Sequence, residues 1–164
     1  MMISPYAALA FLPFALAITI WVSWSDMKFM KIPNQASFAA LAIWLVIGIV
    51  MVPLHTWAMG WVLGLVVFVA TFILFAVRAI GAGDAKFAAA MAPMFIYADL
   101  RLLFGIYAAC SLGALAAHRT LKHVPAFRAA TPDWKSWTHS GFPFGTALTA
   151  TLIFYLLAAL RPLF

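Results

Sequence analysis

Long apolar runs separated by short polar interruptions make up almost the whole chain, and their lengths predict six membrane-crossing helices. A crossing needs about 20 apolar residues, fewer where the bilayer thins or the helix lies within a bundle. The runs cover residues 6–24, 36–52, 57–77, 85–98, a stretch beginning after Arg101 and reaching 117, and 143–160. Pro13 falls inside the first and is expected as a tolerated kink. The polar strip 26–35 follows, and its Ile32-Pro33-Asn34 reads as the turn that starts the second helix, because Pro33 fixes its own backbone and restricts Ile32. Pro53 ends the second helix and Arg78 closes the third, in which Gly60 and Gly64 have the spacing that lets two helices approach closely. The fourth run is short and interrupted by Pro93, so either the bilayer thins there or the preceding turn dips inward, shielded by protein or facing a wet cavity. Gly105, Ala109, Gly113 and Ala117 recur every four residues along the fifth, a smooth face expected to pack against another helix.

Composition agrees with this reading. Of 164 residues, 67% are hydrophobic and 9% charged, and the mean hydropathy is +1.07, against roughly 25% charged in a soluble domain. The chain is therefore read as an all-α membrane protein, a six-helix bundle forming one domain over residues 1–164, with no repeat or linker. The opening Met-Met-Ile-Ser-Pro carries no Lys or Arg, so the first run is expected to be a permanent span rather than a secretory signal. The net charge of +6 is assigned to loop signals of topology rather than to nucleic acid. Cys110 is the only cysteine and sits in an apolar run, which excludes an internal disulfide and a cysteine-based zinc site. His118, His123 and His139 match no zinc spacing and are expected to be solvated loop residues, so neither metal nor cofactor is expected. The basic residues and tryptophans of 118–141 suit an interfacial loop lying on anionic headgroups.

Charge also orients the chain. Six crossings place the loops after the first, third and fifth on one side, with Lys28, Lys31, Arg78, Lys86, Arg119, Lys122, Arg128 and Lys135; the other side has only Arg101 and Arg161. The positive-inside rule then puts the odd loops in the cytoplasm and both termini in the periplasm.

Glutamate is absent, and the four acids are Asp26, Asp84, Asp99 and Asp133. Asp26 closes the first helix and Asp84 opens the fourth, two crossings later, so both fall at the cytoplasmic end. Asp99 falls opposite, and Asp133 lies in a Thr-Pro-Asp turn where capping a local helix is an adequate explanation. Two carboxylates held close in a partly dry site share a proton, so one can activate water while the other polarises a peptide carbonyl. Glycines before Asp84 would let an extended substrate approach the backbone. A plain reading stands beside this one: Gly-Ala-Gly-Asp as a turn ending in a helix cap, with Asp26 a snorkelled interfacial charge.

Gly81-Ala82-Gly83-Asp84-Ala85-Lys86 resembles the GxGDxK motif of the type IV prepilin peptidases, members of the GxGD class of membrane aspartyl proteases. Asp26 followed by Ile32-Pro33-Asn34 resembles that family's first-aspartate motif, and Phe142-Pro143-Phe144-Gly145 its Pro-aromatic-Gly element. The resemblance implies a multi-pass enzyme of the bacterial inner membrane that cuts the short basic leader from prepilin or pseudopilin precursors at the cytoplasmic face. Asp26 and Asp84 would be the catalytic pair, with Gly81, Gly83, Ile32, Pro33, Asn34, Pro143 and Gly145 shaping the substrate approach. The matching Lys86 would either tune the pair's proton affinity or anchor its helix at the headgroups. Lacking the cysteine-bearing cytoplasmic insert of larger relatives, the chain looks like the compact type associated with Flp or tight-adherence pili, without methyltransferase activity. Two other functions remain open: a small proton-coupled transporter, which would hold its carboxylates nearer the bilayer midplane, and a non-catalytic pilus-assembly subunit.

Overall fold

The computed structural model describes residues 2–163, whose regular structure is all helical, with no strand among them. The helices are α1 (Pro5–Phe29), α2 (Asn34–Met51), α3 (Leu54–Ala76), α4 (Ala82–Met91), α5 (Leu100–Lys122), the short α6 (Pro125–Ala130) and α7 (Gly145–Ala159). Four of them, α1, α2, α3 and α5, are long and apolar enough to cross a membrane. The two shorter apolar segments, α4 and α7, pack between them.

Helix α1 packs mainly against α7 and α2. It begins with a Ser4 side chain accepting from the N–H of Ala7 and with Pro5 in the first turn, where a missing N–H costs nothing. Pro13 lies inside it without ending it, as expected from sequence. Small residues let its neighbours come close: Ala7, Ala8 and Ala15 are buried on α1, and Ala36 and Ala40 on α2. Lipid tails are as apolar as leucine, so close packing rather than the hydrophobic effect holds such helices together. Larger side chains fill the remaining space. Phe11 stacks on Trp44 with ring centroids 5.9 Å apart, and Phe95 meets Tyr155 edge-on at 4.9 Å. The Tyr155 hydroxyl also accepts the N–H of Ile3, tying the start of the chain to α7.

Several boundaries differ from those read in the sequence. α1 runs on through Asp26 to Phe29, where Met30 adopts a left-handed conformation (φ 54°) and donates its N–H to the carbonyl of Asp26. Residues 25–28 are thus helical; Ser25, Asp26 and Met27 are buried, while Lys28 stays partly exposed. α2 contains a π-helical turn at Trp44–Gly48, at the point where Trp44 turns inward. The Trp44 ring lies over Gly60, and the two tryptophan indoles exchange bonds: Trp44 Nε1 donates to the Trp57 carbonyl and Trp57 Nε1 to the Trp44 carbonyl. Gly64 sits against Pro93 and the carbonyl of Ala89, the close helix approach expected for that pair of glycines. α4 starts at Ala82 and gives way at Ala92–Phe95 to a 3-10 turn containing Pro93, so it is shorter than the 85–98 run. α7 begins at Gly145, two residues after Pro143.

Two expectations fail outside the helix core. The Gly105 and Gly113 face of α5 meets nothing within 4 Å among the described residues, which leave its smooth stripe uncovered. His118 is not a solvated loop residue: it lies in α5, buried, with its ring stacked on Trp137 at 5.3 Å and edge-on to Phe142. The reason is the folding of 118–141, where α6 and the 3-10 turn Lys135–Trp137 pack Phe127, Trp134 and Trp137 into one aromatic cluster that closes over the imidazole.

Candidate functional site

One end of the bundle gathers the chemistry. The last turn of α1, the first turns of α2, α4 and α7, and the end of α3 meet there, joined by long-range polar contacts. Thr71 near the end of α3 donates to the carbonyl of Ala85, and Lys86 Nζ lies 3.4 Å from Oδ1 of Asn34. Asp26 and Asp84 both line a cavity of about 370 Å³ at this end, together with Ile32, Asn34, Gly81, Gly83 and Lys86.

Each carboxylate is held by the backbone N–H of a glycine. Asp26 is 5% exposed, and its Oδ2 accepts from Gly145 at 2.7 Å. That N–H belongs to the first residue of α7, where the helix leaves its donors unpaired and its dipole favours an anion. Asp84 is half-buried in the first turn of α4, and its Oδ2 accepts from the N–H of Gly81, the residue that caps the helix, at 3.3 Å. Asp84 is therefore the third residue of its helix rather than the N-cap itself, and its bond to the Gly81 N–H is a capping-box contact, in keeping with the plain reading of the turn as a helix start. Both acids stand at the positive end of a helix, one in its own and one in a neighbour's.

Glycine is required at these positions for space. A methyl group on Gly145 would lie 2.8 Å from Oδ2 of Asp26, and one on Gly81 would lie 2.7 Å from Oδ2 of Asp84. Their φ values are ordinary, so room for the carboxylate is the constraint rather than backbone freedom. Ile32 links the two halves. A methyl on Gly83 would lie 3.2 Å from its Cβ and 3.3 Å from its backbone N, while its Cδ1 would meet a methyl on Gly145 at 2.9 Å. The left-handed turn at Met30 brings Ile32 back between them, and Pro33 starts α2 so that Asn34 faces Lys86. Pro143 is buried behind this point, its carbonyl accepting from the Thr146 hydroxyl at 2.7 Å. All ten residues singled out in the sequence are thus placed at one end of the bundle.

The two remaining acids lie apart from that cavity. Asp99 caps α5, accepting from the N–H groups of Arg101 and Leu102. Asp133 pairs with Lys28 of α1 at 2.9 Å rather than capping a helix, and the Lys28 side chain holds its carboxyl below the usual range. Among the described residues, no three His, Cys, Asp or Glu side chains come together as a metal-ligand set.

An apolar groove of about 320 Å³ also reaches Asp84, running between α3, α4, α5 and α7 past Val67, Thr71, Phe104 and Tyr107. Thr71 and Tyr107 are absent from the sequence reading. A hydroxyl residue inside a long apolar helix gives no sign of where it will face, and only the tertiary packing brings these two to Asp84's side of α4.

The model of the type IV leader peptidase family matches residues 13–118, well over half of the chain and a stretch that includes both Asp26 and Asp84. Gly145 lies beyond the matched stretch, so its bond to Asp26 is known from geometry alone. No curated protein and no solved structure matches the chain.

Proposed function

The chain belongs to the type IV leader peptidase family, and from that membership we propose that it is a GxGD-type aspartyl endopeptidase that removes the short basic leader from prepilin-like precursors at the cytoplasmic face of the inner membrane. Membership implies prepilin leader peptidase activity in general; the aspartate pair, the side of the membrane and the Flp-type substrate are this proposal's own. The observation that carries it is the shared cavity, into which two acids project, each held by a glycine N–H at a helix N-terminus.

The chemistry follows from the pairing. Two neighbouring carboxyls in a low-dielectric pocket hold one proton between them, since ionising both is costly. The ionised member takes a proton from water as its oxygen adds to the scissile carbonyl carbon. The protonated member donates to the carbonyl oxygen, and the tetrahedral intermediate collapses when a proton reaches the leaving nitrogen. Gly145 orients the Asp26 carboxylate through Oδ2 and leaves Oδ1 free. The missing side chain of Gly83 makes room for Ile32, and the cavity beside the pair is where an extended peptide would lie.

In this reading residues 1–164 form one domain with six crossings and both termini in the periplasm, α4 and α7 crossing with the help of their longer neighbours. The basic residues Lys28, Lys31, Arg78 and Lys86 then lie on the cytoplasmic side with the site. A proton-coupled carrier would hold its carboxylates nearer the midplane. Here they stand in the last turns of α1 and the first turn of α4, which favours proteolysis.

The decisive experiment is cleavage of a prepilin-type precursor by purified protein and by Asp26→Asn and Asp84→Asn. Both variants are expected to insert normally and to cut nothing. Wild-type rates in either variant would overturn the assignment of the pair.

A further inference from the structure

Helix α4 separates two apolar grooves that end in opposite charges. The groove described above reaches Asp84. The other, about 470 Å³, runs between α2, α3 and α4 and ends at Lys86. Phe38, Leu41, Leu65 and Phe68 form its walls, and Asn34 and Ser37 stand with Lys86 at its polar end. Phe38 is 68% exposed and Leu65 62%, so the walls stand open at the side of the bundle.

Lys86 is, among the described residues, the one cation that lines this groove. Among the described residues, the one ion pair joins Lys28 to Asp133. Lys86 Nζ has only the neutral Asn34 oxygen, at 3.4 Å, and the side chain is exposed. An ammonium with no anionic partner, at the end of a slot with hydrocarbon walls, is complementary to a molecule with one negative group and a long apolar tail. Basic pockets between membrane helices bind anionic lipid headgroups on this principle. The groove on the other face of α4 is lined by Asp84 and, among the described residues, by no Lys or Arg, so a phosphate there would have no ammonium to offset the carboxylate.

We propose that the groove between α2, α3 and α4 binds an anionic phospholipid. The headgroup phosphate sits at Lys86 Nζ and the Asn34 amide, and one acyl chain lies along Phe38, Leu41, Leu65 and Phe68. Lys86 also lines the cavity that holds Asp26 and Asp84, so the bound phosphate neighbours the candidate site. This site does not depend on the proteolytic reading, since binding is measured without turnover.

The test is native mass spectrometry of the full chain in detergent with phosphatidylglycerol or phosphatidylcholine added at equal concentration. Wild-type protein is expected to retain phosphatidylglycerol about fivefold better than phosphatidylcholine, the effect of one basic residue at a lipid headgroup. Lys86→Gln should abolish the preference. Lys135→Gln removes the same charge from the exposed loop and should preserve it. Leu65→Trp adds bulk at an exposed wall position and should weaken retention of both lipids. Equal loss in Lys86→Gln and Lys135→Gln would show a non-specific charge effect and overturn the site. So would an unchanged preference in Lys86→Gln, or a groove closed by a second copy of the chain and seen as a dimer that takes up neither lipid.

Discussion

Gly145 and Asp26 lie 119 residues apart in sequence, and the backbone N–H of the first donates to the carboxylate of the second at 2.7 Å. The bond joins the end of α1 to the start of α7 at the buried edge of the cavity. It fixes which carboxylate oxygen is engaged.

Substituting this glycine should therefore separate activity from stability. In Gly145→Ala the new methyl meets two side-chain ends, Asp26 Oδ2 and Ile32 Cδ1, rather than backbone, so the side chains give way and the fold survives. The displaced carboxylate no longer faces the substrate. Precursor cleavage should fall by about 100-fold, the scale of a misplacement near 1 Å in a catalytic group. The melting temperature in detergent should stay within about 4 °C of wild type. Full activity in this variant would show that the orientation of Asp26 is immaterial.

Gly81→Ala should act in the same direction and more weakly. Its methyl also collides with a carboxylate oxygen, that of Asp84, but this acid is half-buried and its bond to Gly81 is longer, so it has room to turn. Measured side by side, the cleavage rate of Gly81→Ala should lie between those of wild type and Gly145→Ala.

Gly60→Ala should have the opposite profile. A methyl there would lie 2.4 Å from Cζ2 of Trp44, a fully buried ring held at its Nε1 by the Trp57 carbonyl. A rigid indole cannot step aside, so overpacking should cost about 1–3 kcal/mol. Thermal unfolding in detergent is expected to show the loss, with the cleavage rate of the folded fraction unchanged. Unaltered melting would mean that the Trp44 seat is looser than its geometry implies.

The Lys28–Asp133 pair gives a pH dependence with a definite sign. Lys28 lowers the Asp133 carboxyl below its ordinary value, so the pair is fully present above that value and is lost as pH falls through the lowered one. The tether between α1 and the 118–141 segment should thus loosen only in acid, below about pH 4. A carboxyl titration followed by NMR should give a midpoint below that of a free aspartate, returning to it in Lys28→Gln. A normal midpoint in the wild-type chain would remove the tether.

Much of the site could be read from the sequence because rare residues mark it. In a chain with four acids and no glutamate, alternation of helices is enough to bring the ends carrying Asp26 and Asp84 to one side, and the structure lines one cavity with both. The helix ends were harder to read. Residues 27–29 fall in the polar strip after Asp26 because polarity alone cannot distinguish a side chain facing water from one held against protein. His118 was misread for the same reason: it lies in a basic stretch, and only the fold of Phe127, Trp134 and Trp137 buries it. The role of Gly145 had no local signal, since its partner is more than a hundred residues away. Gly105 and Gly113 carry a packing pattern without a partner among the described residues, which shows that small-residue spacing reports what a face permits and not what it touches.

The brevity of α4 has a consequence for the supply of the second reactant. Ten residues rise about 15 Å, half the thickness of a hydrocarbon layer. With the 3-10 turn that continues it to Phe95 the segment is still shorter than α1, α3 and α5, and under the proposed function a locally thinned bilayer would bring the water that hydrolysis consumes to Asp84 in its first turn.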